Sequence, residues 1–461
     1  MSVAASLNPH TTALMALVDK YDGRAPRYTS YPTAVQFTPQ VDARTYQRWL
    51  SELPTDEAVS LYAHIPMCAR LCWYCGCNTR AVNRADAVSD YVALLVQELA
   101  LVEPILPGRL RASALHLGGG TPNMLGIDDL RVLFEALRHL FRLEADAEIA
   151  AELDPAVLTE AWVKAAAFHG LNRASLGVQN LSPRVQQAVN REERFEDIAR
   201  CVGWLRAAGV ASINLDLMYG LPHQTTANTL STIHQVVSLR PERIALFGYA
   251  HVPWMKSHQQ LIDEAALPGP AERLEQSEAA AELLAREGYV RIGLDHFALE
   301  SDELAVAHAQ KRLKRNFQGY TVDAAATLLG FGASAISSLP QGFVQNHAQE
   351  LAWRKAVGAG ESPIARGVAL TDEDRWRGEI IERLMCDMGV DLAAVSARHG
   401  RDWRALQDEV GRLAPFVADG LLRIDGAKLT VTETGRLLVR SICAAFDAYF
   451  APQAQRHSKA L

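Results

Sequence analysis

The chain has 461 residues, of which 49% are hydrophobic and 21% are charged, and its formal net charge is -7. This length and balance predict a soluble protein with one large domain and one or two smaller additions. The acidic excess argues against a general partner that is a nucleic acid or an anionic membrane, because such binders need a basic surface.

The N-terminal region, residues 1–55, is predicted to be an arm that carries one helix from Thr11 to Lys20. Its first residues, Met1 to Pro9, lack the basic patch and apolar run of a signal peptide, so we expect a cytoplasmic protein. The most apolar long stretch, Tyr91 to Leu106, is interrupted by charged residues and fits an amphipathic helix better than a membrane span.

The central region, residues 56–365, alternates short β-rich runs with segments of helical period. The predicted strands are Leu61 to Ile65, Ala114 to Leu117, Glu148 to Leu153, Arg173 to Val178, Ile213 to Tyr219, Arg243 to Ala250 and Arg291 to Ala298. The predicted helices between them are Ala87 to Val102, Ile127 to Phe141, Thr225 to Ser238 and Ala271 to Glu287. This α/β pattern predicts a full or partial TIM-like barrel, with a doubly wound sheet as the alternative.

Four of the seven cysteines follow the first predicted strand within a few residues: Cys68, Cys72, Cys75 and Cys77. The spacing C-x3-C-x2-C lets three thiolates reach three corners of one iron-sulfur cluster. A zinc site with Cys77 or His64 as the fourth ligand is the rival interpretation, and a chance group of packing thiols is another. The scattered Cys201, Cys386 and Cys443 fit buried structural thiols.

Polar or glycine residues stand at the ends of the later predicted strands. They are Gly118 to Thr121, Glu152 and Asp154, Gln179, Asp216, Tyr249 to His251, and Asp295 with His296. Since the carboxyl ends of parallel strands form one face, these residues are expected to converge on a single ligand-binding mouth.

The C-terminal region, residues 366–461, is predicted to be mainly helical. A helix from Asp372 to Met388 precedes a strand-turn-strand run, Leu421 to Thr432, and a final helix near Gly435 to Phe450. The pattern resembles a small winged-helix-like cap. A lid or packing role is favoured over DNA binding because no basic recognition stripe is present.

The cysteine loop is the signature of the radical S-adenosylmethionine superfamily, and the other motifs resemble its oxygen-independent coproporphyrinogen III oxidase family over nearly the whole chain. The matching stretches are Arg27 to Thr33, Tyr62 to Cys77, Leu115 to Pro122, Glu152 to Pro155, Gly177 to Gln179, Val189 to Arg191, Asp216 to Pro222, Tyr249 to His251, Asp295 to Ala298 and Asn316 to Tyr320.

This resemblance implies a [4Fe-4S] cluster on Cys68, Cys72 and Cys75, and two molecules of S-adenosylmethionine. The first would be held by Tyr62, Gly119, Glu152 and Ile336. The second would contact Tyr74, Gly120, Thr121, Gln179, Arg191, Asp216 and Ala250, with Phe317 and Gln318 nearby. Cys77 would lie near the site as a non-ligand.

The implied reaction is the oxidative decarboxylation of two propionate side chains of coproporphyrinogen III to vinyl groups. It needs a reductant, which we expect to be of the flavodoxin or ferredoxin type, and we expect the chain to be a monomer. The substrate is an anion, and Arg24, Arg27, Arg191 and Arg315 are candidates for binding its carboxylates.

Two other classes compete with the oxidase. The related haem chaperone keeps the three-cysteine loop, but such carriers generally lack counterparts of Gly76-Cys77 and of Asn316 to Tyr320. A radical enzyme acting on RNA would carry a basic accessory domain, and this chain is acidic.

Overall fold

The computed structural model describes residues 9–21 and 25–450, and its strands are numbered in chain order. They are β1 (Ala58–Ile65), β2 (Met67–Cys68), β3 (Arg80–Ala81), β4 (Arg111–Gly119), β5 (Arg142–Leu153), β6 (Arg173–Gln179), β7 (Ser212–Tyr219), β8 (Arg243–Gly248), β9 (Tyr289–Ile292), β10 (His296–Leu299), β11 (Lys314–Asn316), β12 (Gly319–Thr321), β13 (Thr327–Phe331), β14 (Ile336–Leu339), β15 (Gly342–Asn346), β16 (Ile364–Ala369), β17 (Gly389–Asp391), β18 (Leu422–Asp425) and β19 (Lys428–Val431).

The α-helices of the same residues are α1 (Pro9–Tyr21), α2 (Ala43–Ser51), α3 (Ala85–Val102), α4 (Ile127–Leu140), α5 (Glu160–Phe168), α6 (Pro183–Ala188), α7 (Phe195–Ala207), α8 (Thr226–Ser238), α9 (Pro270–Arg286), α10 (Glu303–Ala309), α11 (Glu350–Gly358), α12 (Asp372–Asp387), α13 (Leu392–Arg398), α14 (Gln407–Gly411), α15 (Ala414–Ala418) and α16 (Val439–Cys443). Threonines at 159, 225 and 371 begin α5, α8 and α12, because each side chain accepts a backbone N–H of the first turn. Within these residues we find no helix with the length and apolarity that crossing a bilayer demands.

The main sheet has the strand order β16-β15-β14-β13-β1-β4-β5-β6-β7-β8-β10-β9. The run from β13 through β8 is parallel, and the strands on both flanks are antiparallel. From β1 through β8 the parallel strands follow one another in chain order, β13 pairs with β1 on its other side, and the order is open at β16 and β9. The sequence prediction of a partial barrel is therefore confirmed.

Helices cover the outside of the parallel sheet and bury that face of its strands, while on β6 buried and half-buried residues alternate. On α4, Leu130, Leu133 and Leu137 are fully buried at helical spacing and join the same apolar cluster as Leu115 and Leu117 of β4. This packing leaves the carboxyl ends of the strands as the face on which polar side chains gather.

Two of the predicted elements are wrong in detail. The stretch Arg291 to Ala298 was expected to be one strand, but β9 and β10 form an antiparallel hairpin there. Gly293 has φ +55°, a left-handed conformation that turns the chain between the two strands. The final helix near Gly435 to Phe450 is also shorter than expected, because only Val439–Cys443 is α-helical and Arg436–Leu438 is a 3-10 turn.

The arm packs against the C-terminal region. Tyr28 and Tyr31 are buried in one apolar cluster with Trp376, Ile380 and other residues of that region. The Nε of Arg440 on α16 donates a hydrogen bond to the carbonyl of Pro26 (3.0 Å). The two ends of the chain thus share one core beside the barrel.

Candidate active site at the carboxyl ends of the strands

The three predicted cluster cysteines line one cavity of about 170 Å³ at the end of β1. Cys72 is buried and Cys68 and Cys75 are partly buried. Cys77 also borders this cavity, but its side chain is exposed, and its backbone N–H donates to the Sγ of Cys75 (3.4 Å). The loop therefore offers thiols to a ligand group from one side of a small cavity.

The environment of Cys75 favours a thiolate, the form that binds metal. A hydrogen bond from Cys77, with His258 and Lys256 nearby, lowers the pKa of Cys75 to about 6 although burial acts against the charge. Burial raises the pKa of Cys68. In residues 9–21 and 25–450, no three side chains of the metal-binding types gather closely enough for a single ion.

The cysteine loop is fastened by one later segment of the chain. Three side chains donate to its backbone carbonyls: Lys256 Nζ to Cys77 (2.9 Å), His258 Nε2 to Cys75 (2.7 Å) and Gln259 Nε2 to Tyr74 (3.0 Å). Gln259 is 1% exposed. Because loops without secondary structure need such partners to keep one conformation, residues 256–259 hold the thiols in place.

The glycine run at the end of β4 lies against the cysteine loop. The backbone N–H groups of Gly120 and Thr121 donate to the carbonyls of Ile65 (2.8 Å) and Met67 (2.7 Å). A Cβ on Gly120 would stand 2.6 Å from the carbonyl oxygen of Met67, so only glycine permits this approach. The run fixes the start of the cysteine loop as well as bordering the cavity.

Glu152, at the end of β5, faces the same cavity. Its carboxylate accepts the N–H of Gly119 (2.9 Å) and lies 3.3 Å from Nε2 of His116. Burial would raise the pKa of Glu152, but His116 and the N–H of Gly119 hold it below its ordinary value. Glu152 is thus an ionised acceptor that is already oriented.

A buried charge cluster surrounds Arg191. Its guanidinium donates to the carbonyl of Gly177 (2.6 Å), lies 3.4 Å from the Sγ of Cys72, and pairs with Glu193 (3.0 Å) and Asp154 (3.4 Å). Arg70 and Glu193, which sequence reasoning missed, complete this cluster. Two features of the sequence could have indicated them: Arg70 lies within the cysteine loop, and Glu193 is one of the acidic residues that follow Arg191.

Gln179 ends β6, and Asp216 lies in the carboxyl-terminal half of β7. The carboxylate of Asp216 accepts from Ser175 Oγ (2.9 Å) and Asn214 Nδ2 (2.7 Å), and burial raises its pKa. Gln179 has φ +65°, where β6 ends. These contacts supply the residues of the mouth that the sequence predicted.

The structure brings most of the predicted site residues together around the cysteine cavity. Its lining includes Cys68, Cys72, Tyr74, Cys75, Cys77, Gly119, Gly120, Thr121, Glu152, Gln179, Arg191 and Asp216. Tyr62 and Ile336 lie outside this lining, on β1 and β14, with β13 between them. The hydroxyl of Tyr62 is 2.9 Å from Nδ1 of His64.

The remaining predicted residues, Ala250, Phe317 and Gln318, line a second and larger cavity of about 540 Å³. Its walls come from the arm, the ends of β7 and β8, the β9-β10 hairpin, the β11-β12 hairpin and the C-terminal region, and they include Arg27, Arg273, Arg291, Arg315 and Arg440. Of the sequence candidates for anion binding, Arg27 and Arg315 lie here, Arg191 lies in the cysteine cavity, and Arg24 is outside the described residues. The other three arginines were missed because no motif marks them.

Sequence profiles of two known families match the chain. The profile described as the Radical SAM superfamily matches residues 62–236, and that described as the HemN C-terminal domain matches residues 370–438. With the open parallel barrel and the cysteine loop after its first strand, these matches define a member of the radical S-adenosylmethionine superfamily. Membership implies a [4Fe-4S] cluster and S-adenosylmethionine as cofactors.

Full-length relatives narrow this class. The oxygen-independent coproporphyrinogen III oxidase of Bradyrhizobium diazoefficiens is 49% identical over 438 residues, which cover 95% of this chain and 97% of the relative. The enzyme of that name from Escherichia coli is 38% identical, with 96% of each chain covered. The solved structure of coproporphyrinogen III oxidase (HemN) from Escherichia coli matches with a TM-score of 0.89 and 36% identity, and covers 95% of this chain and 99% of its own. The chain belongs to the oxygen-independent coproporphyrinogen III oxidase family.

Proposed function

We propose that this chain catalyses the anaerobic oxidative decarboxylation of two propionate side chains of coproporphyrinogen III to vinyl groups, which gives protoporphyrinogen IX in haem biosynthesis. The observation that carries the proposal is the pairing of two cavities on one face of the sheet. One is lined by the three cysteines, and the neighbouring one is lined by five arginines. Such a pair suits a cluster beside a substrate with several carboxylates.

The cluster would be held by Cys68, Cys72 and Cys75, with Cys77 as a non-ligand. All four thiols border one cavity, and Cys77 differs from the other three in being exposed and in donating its backbone N–H to the Sγ of Cys75. When bound, the reduced cluster and S-adenosylmethionine supply a 5'-deoxyadenosyl radical, which removes a hydrogen atom from the β-carbon of a propionate. The chain's own residues bind, orient and shield the reactants.

Two molecules of S-adenosylmethionine would bind. The first would be held by Tyr62, Gly119, Glu152 and Ile336, and the second by Tyr74, Gly120, Thr121, Gln179, Arg191, Asp216 and Ala250, with Phe317 and Gln318 nearby. The ionised carboxylate of Glu152 can accept hydrogen bonds from ribose hydroxyls. The buried Nε of Arg191 has no hydrogen-bond partner among the described residues and can donate to a ligand carboxylate.

The substrate would occupy the larger cavity. Its volume of about 540 Å³ lies in the range of sites for small molecules and cofactors. Arg315 supports an anionic ligand, because its Nε and one terminal nitrogen are buried without a hydrogen-bond partner in the described residues. Its guanidinium stacks on the ring of Tyr320 at 4.4 Å, which fixes the plane of the donors. The arginines would bind the propionate carboxylates.

We also propose a cytoplasmic monomer that receives electrons from a flavodoxin or a ferredoxin. The exposed side chain of Cys77 supports a route for electrons to the cluster from outside. We further propose three parts: an arm (1–55), a barrel (56–365) and a C-terminal domain (366–461). The main sheet supports the first boundary, since its first strand in the chain begins at Ala58, whereas its last strand, β16 (Ile364–Ala369), crosses the second boundary by four residues.

The test is anaerobic turnover by protein reconstituted with iron and sulfide, given reductant, S-adenosylmethionine and coproporphyrinogen III. We expect protoporphyrinogen IX and 5'-deoxyadenosine by mass spectrometry. Both products should be lost in Cys68→Ala and kept in the matched variant Cys77→Ala. A protein that assembles its cluster and binds haem tightly, but leaves the propionates intact, would be a haem chaperone instead.

A further inference from the structure

The arginine-lined cavity contains one carboxylate. Among the described residues of its wall, Asp295 is the only acidic side chain beside the five arginines. If the site bound only the carboxylates at the rim of a tetra-anionic molecule, a negative charge in its wall would weaken binding, because it would repel the ligand. The presence of Asp295 therefore needs its own explanation.

The backbone around Asp295 is tightly fixed. A Cβ on the preceding Gly293 would lie 2.1 Å from the ring of Tyr320, so the turn rests directly on that ring. The N–H of Leu294 donates to the hydroxyl of Tyr320 (3.0 Å), and the carbonyl of Asp295 accepts from the N–H of Leu246 on β8 (2.8 Å). The hairpin thus holds Asp295 at the wall of the cavity.

The carboxylate is ionised and accessible. One oxygen accepts a hydrogen bond from Nδ1 of His296 at 2.7 Å, and 21% of the side chain is exposed. Burial would raise the pKa of Asp295, but His296, Arg315 and Arg27 hold it below its ordinary value. In residues 25–450, its recorded ion pair is with His296, and no arginine nitrogen comes within 4.0 Å. Within these residues, Asp295 therefore does not form an ion pair with an arginine.

A porphyrinogen has a charge pattern that matches this wall. Its four pyrrole N–H groups lie at the centre of the macrocycle, and its carboxylates lie at the rim. An ionised carboxylate is a strong acceptor for several N–H donors, and arginines are the matching donors for the rim. We infer that Asp295, oriented by His296, accepts the pyrrole N–H groups of the substrate while the surrounding arginines take its propionates; this inference rests on the proposed function.

Asp295, which would anchor the centre of the substrate ring, also lies close to the cysteine cavity. Asp216 of that cavity lies within electrostatic reach of His296, and Ala250, Phe317 and Gln318 share the wall with Asp295. A ring held at its centre can turn about that point without leaving the site. The same anchor therefore serves both propionates, each of which must face the cluster in turn.

The test compares two ligands with the same four carboxylates. Coproporphyrinogen III presents four pyrrole N–H donors, whereas its oxidised form, coproporphyrin III, is planar and keeps two. Their anaerobic dissociation constants are measured by equilibrium dialysis on the cluster-reconstituted protein without S-adenosylmethionine. In Asp295→Asn we expect the constant for coproporphyrinogen III to rise about tenfold or more, since charge-assisted hydrogen bonds are lost. The constant for coproporphyrin III should change much less.

A charge-balancing role for Asp295 predicts the opposite sign. Removing a negative charge from the cavity would then tighten the binding of both ligands, and either that result or an equal loss for both would overturn the inference. The matched control is Asp128→Asn on α4, whose side chain is 94% exposed and should leave both constants unchanged. Reductive cleavage of S-adenosylmethionine without substrate is the check that the variant keeps its radical chemistry.

The proposed function and the role of Asp295 are refuted by different results. A wild-type protein that cleaves S-adenosylmethionine but neither binds nor converts coproporphyrinogen III would refute the proposed function. A wild-type protein that converts it, with Asp295→Asn binding coproporphyrinogen III as tightly as the wild type, would refute only the role of Asp295.

Discussion

Gly120 has no side chain, and this lets the glycine run at the end of β4 pack directly against the cysteine loop. We predict that Gly120→Ala lowers the iron and sulfide content of the reconstituted protein severalfold, because the new Cβ would stand 2.6 Å from the carbonyl of Met67 and push the cysteine loop away. The measurement is chemical analysis of iron and sulfide with the visible absorbance of the cluster. Gly203→Ala on α7 is the control, since its Cβ would meet nothing within 4 Å; there the helix should gain up to about 1 kcal/mol. Equal cluster content in the two variants would contradict the prediction.

The carboxyl group of Glu98 should make the free energy of unfolding depend on pH. It is buried and accepts hydrogen bonds from the backbone N–H of Gly332 (2.8 Å), from Asn346 (2.6 Å) and from Trp353 (2.9 Å), and burial raises its pKa to about 7. A carboxyl whose folded pKa is raised stabilises the fold fully below its unfolded pKa, and this stability is lost as the pH rises through the folded pKa. The free energy of unfolding should therefore fall by up to about 3 kcal/mol between pH 4.5 and pH 8 from this group.

Denaturant unfolding of the wild type and Glu98→Gln at both pH values measures this contribution. Glu98→Gln should be less stable at low pH by about 1–3 kcal/mol, because an amide NH2 cannot replace an accepting oxygen. The gap should narrow at high pH. Glu361→Gln, at an exposed position, should follow the wild type. Parallel pH curves for Glu98→Gln and the wild type would show that the carboxyl does not titrate on unfolding.

At the residue scale, the sequence was informative where a residue belongs to a motif and uninformative where it acts through space. The cysteine loop follows β1, and Glu152 and Asp216 lie in the carboxyl-terminal halves of β5 and β7, so the rule for strand ends brings them to one face. Arg273, Arg291 and Arg440 come from a helix, an edge strand and the C-terminal region, and each resembles an ordinary surface arginine in its local sequence. Only the tertiary fold shows that they share a cavity.

At the scale of elements, the arm is predicted to act as part of the C-terminal core and not as a loose tail. Tyr31 is 8% exposed, its hydroxyl accepts the N–H of Ala448 (3.0 Å), and its ring packs on Tyr449 with centroids 5.9 Å apart. Tyr31→Ala should lower the free energy of unfolding of this region by about 3–5 kcal/mol, the cost of removing a buried ring.

Tyr31→Phe is the matched variant, and it should cost only about 1 kcal/mol because it loses one hydrogen bond. Hydrogen exchange of the backbone amides of α12 and α16 measures both effects locally. Unchanged protection of these helices in Tyr31→Ala would mean that the arm is not part of their core.

Most elements were predicted correctly because the hydrophobic period of the sequence and its helix- or strand-breaking residues indicate the same boundaries. The helix predicted from Thr225 to Ser238 is found at Thr226–Ser238, since Thr225 caps it and its apolar residues recur at helical spacing. The hairpin between β9 and β10 was missed because Arg291 to Ala298 has the composition of one strand, and its turn depends on one glycine seated on Tyr320. Contacts distant in sequence decide such a turn.

At the scale of the whole molecule, the larger cavity exists only where three parts of the chain meet. Arg27 of the arm, Arg315 of the barrel and Arg440 of the C-terminal region all line it. Arg440 is 4% exposed and donates to the carbonyls of Ala25 and Pro26. We predict that Arg440→Leu raises the KM for coproporphyrinogen III about tenfold or more, because it removes a cavity cation and releases the arm.

The same variant should leave substrate-free cleavage of S-adenosylmethionine within about twofold of the wild type, since the cysteine cavity has no residue from the C-terminal region. Limited proteolysis would detect the released arm as faster cutting near residues 22–36. Arg404→Leu, at a side chain that is 66% exposed, should change neither KM nor proteolysis. An unaltered KM in Arg440→Leu would mean that the arm and α16 do not shape the substrate site.

The segment that fastens the cysteine loop also reaches the other cavity. Residues 256–259 bind three carbonyls of the loop, and Trp254, two residues earlier and 63% exposed, lines the cavity with the arginines. We expect a ligand that orders Trp254 to steady the loop as well, and by thermodynamic reciprocity an intact cluster would then raise the affinity for that ligand by the same factor. Substrate would thus lengthen the lifetime of the cluster in air, and a molecule that has lost its iron would release its substrate to one that has not.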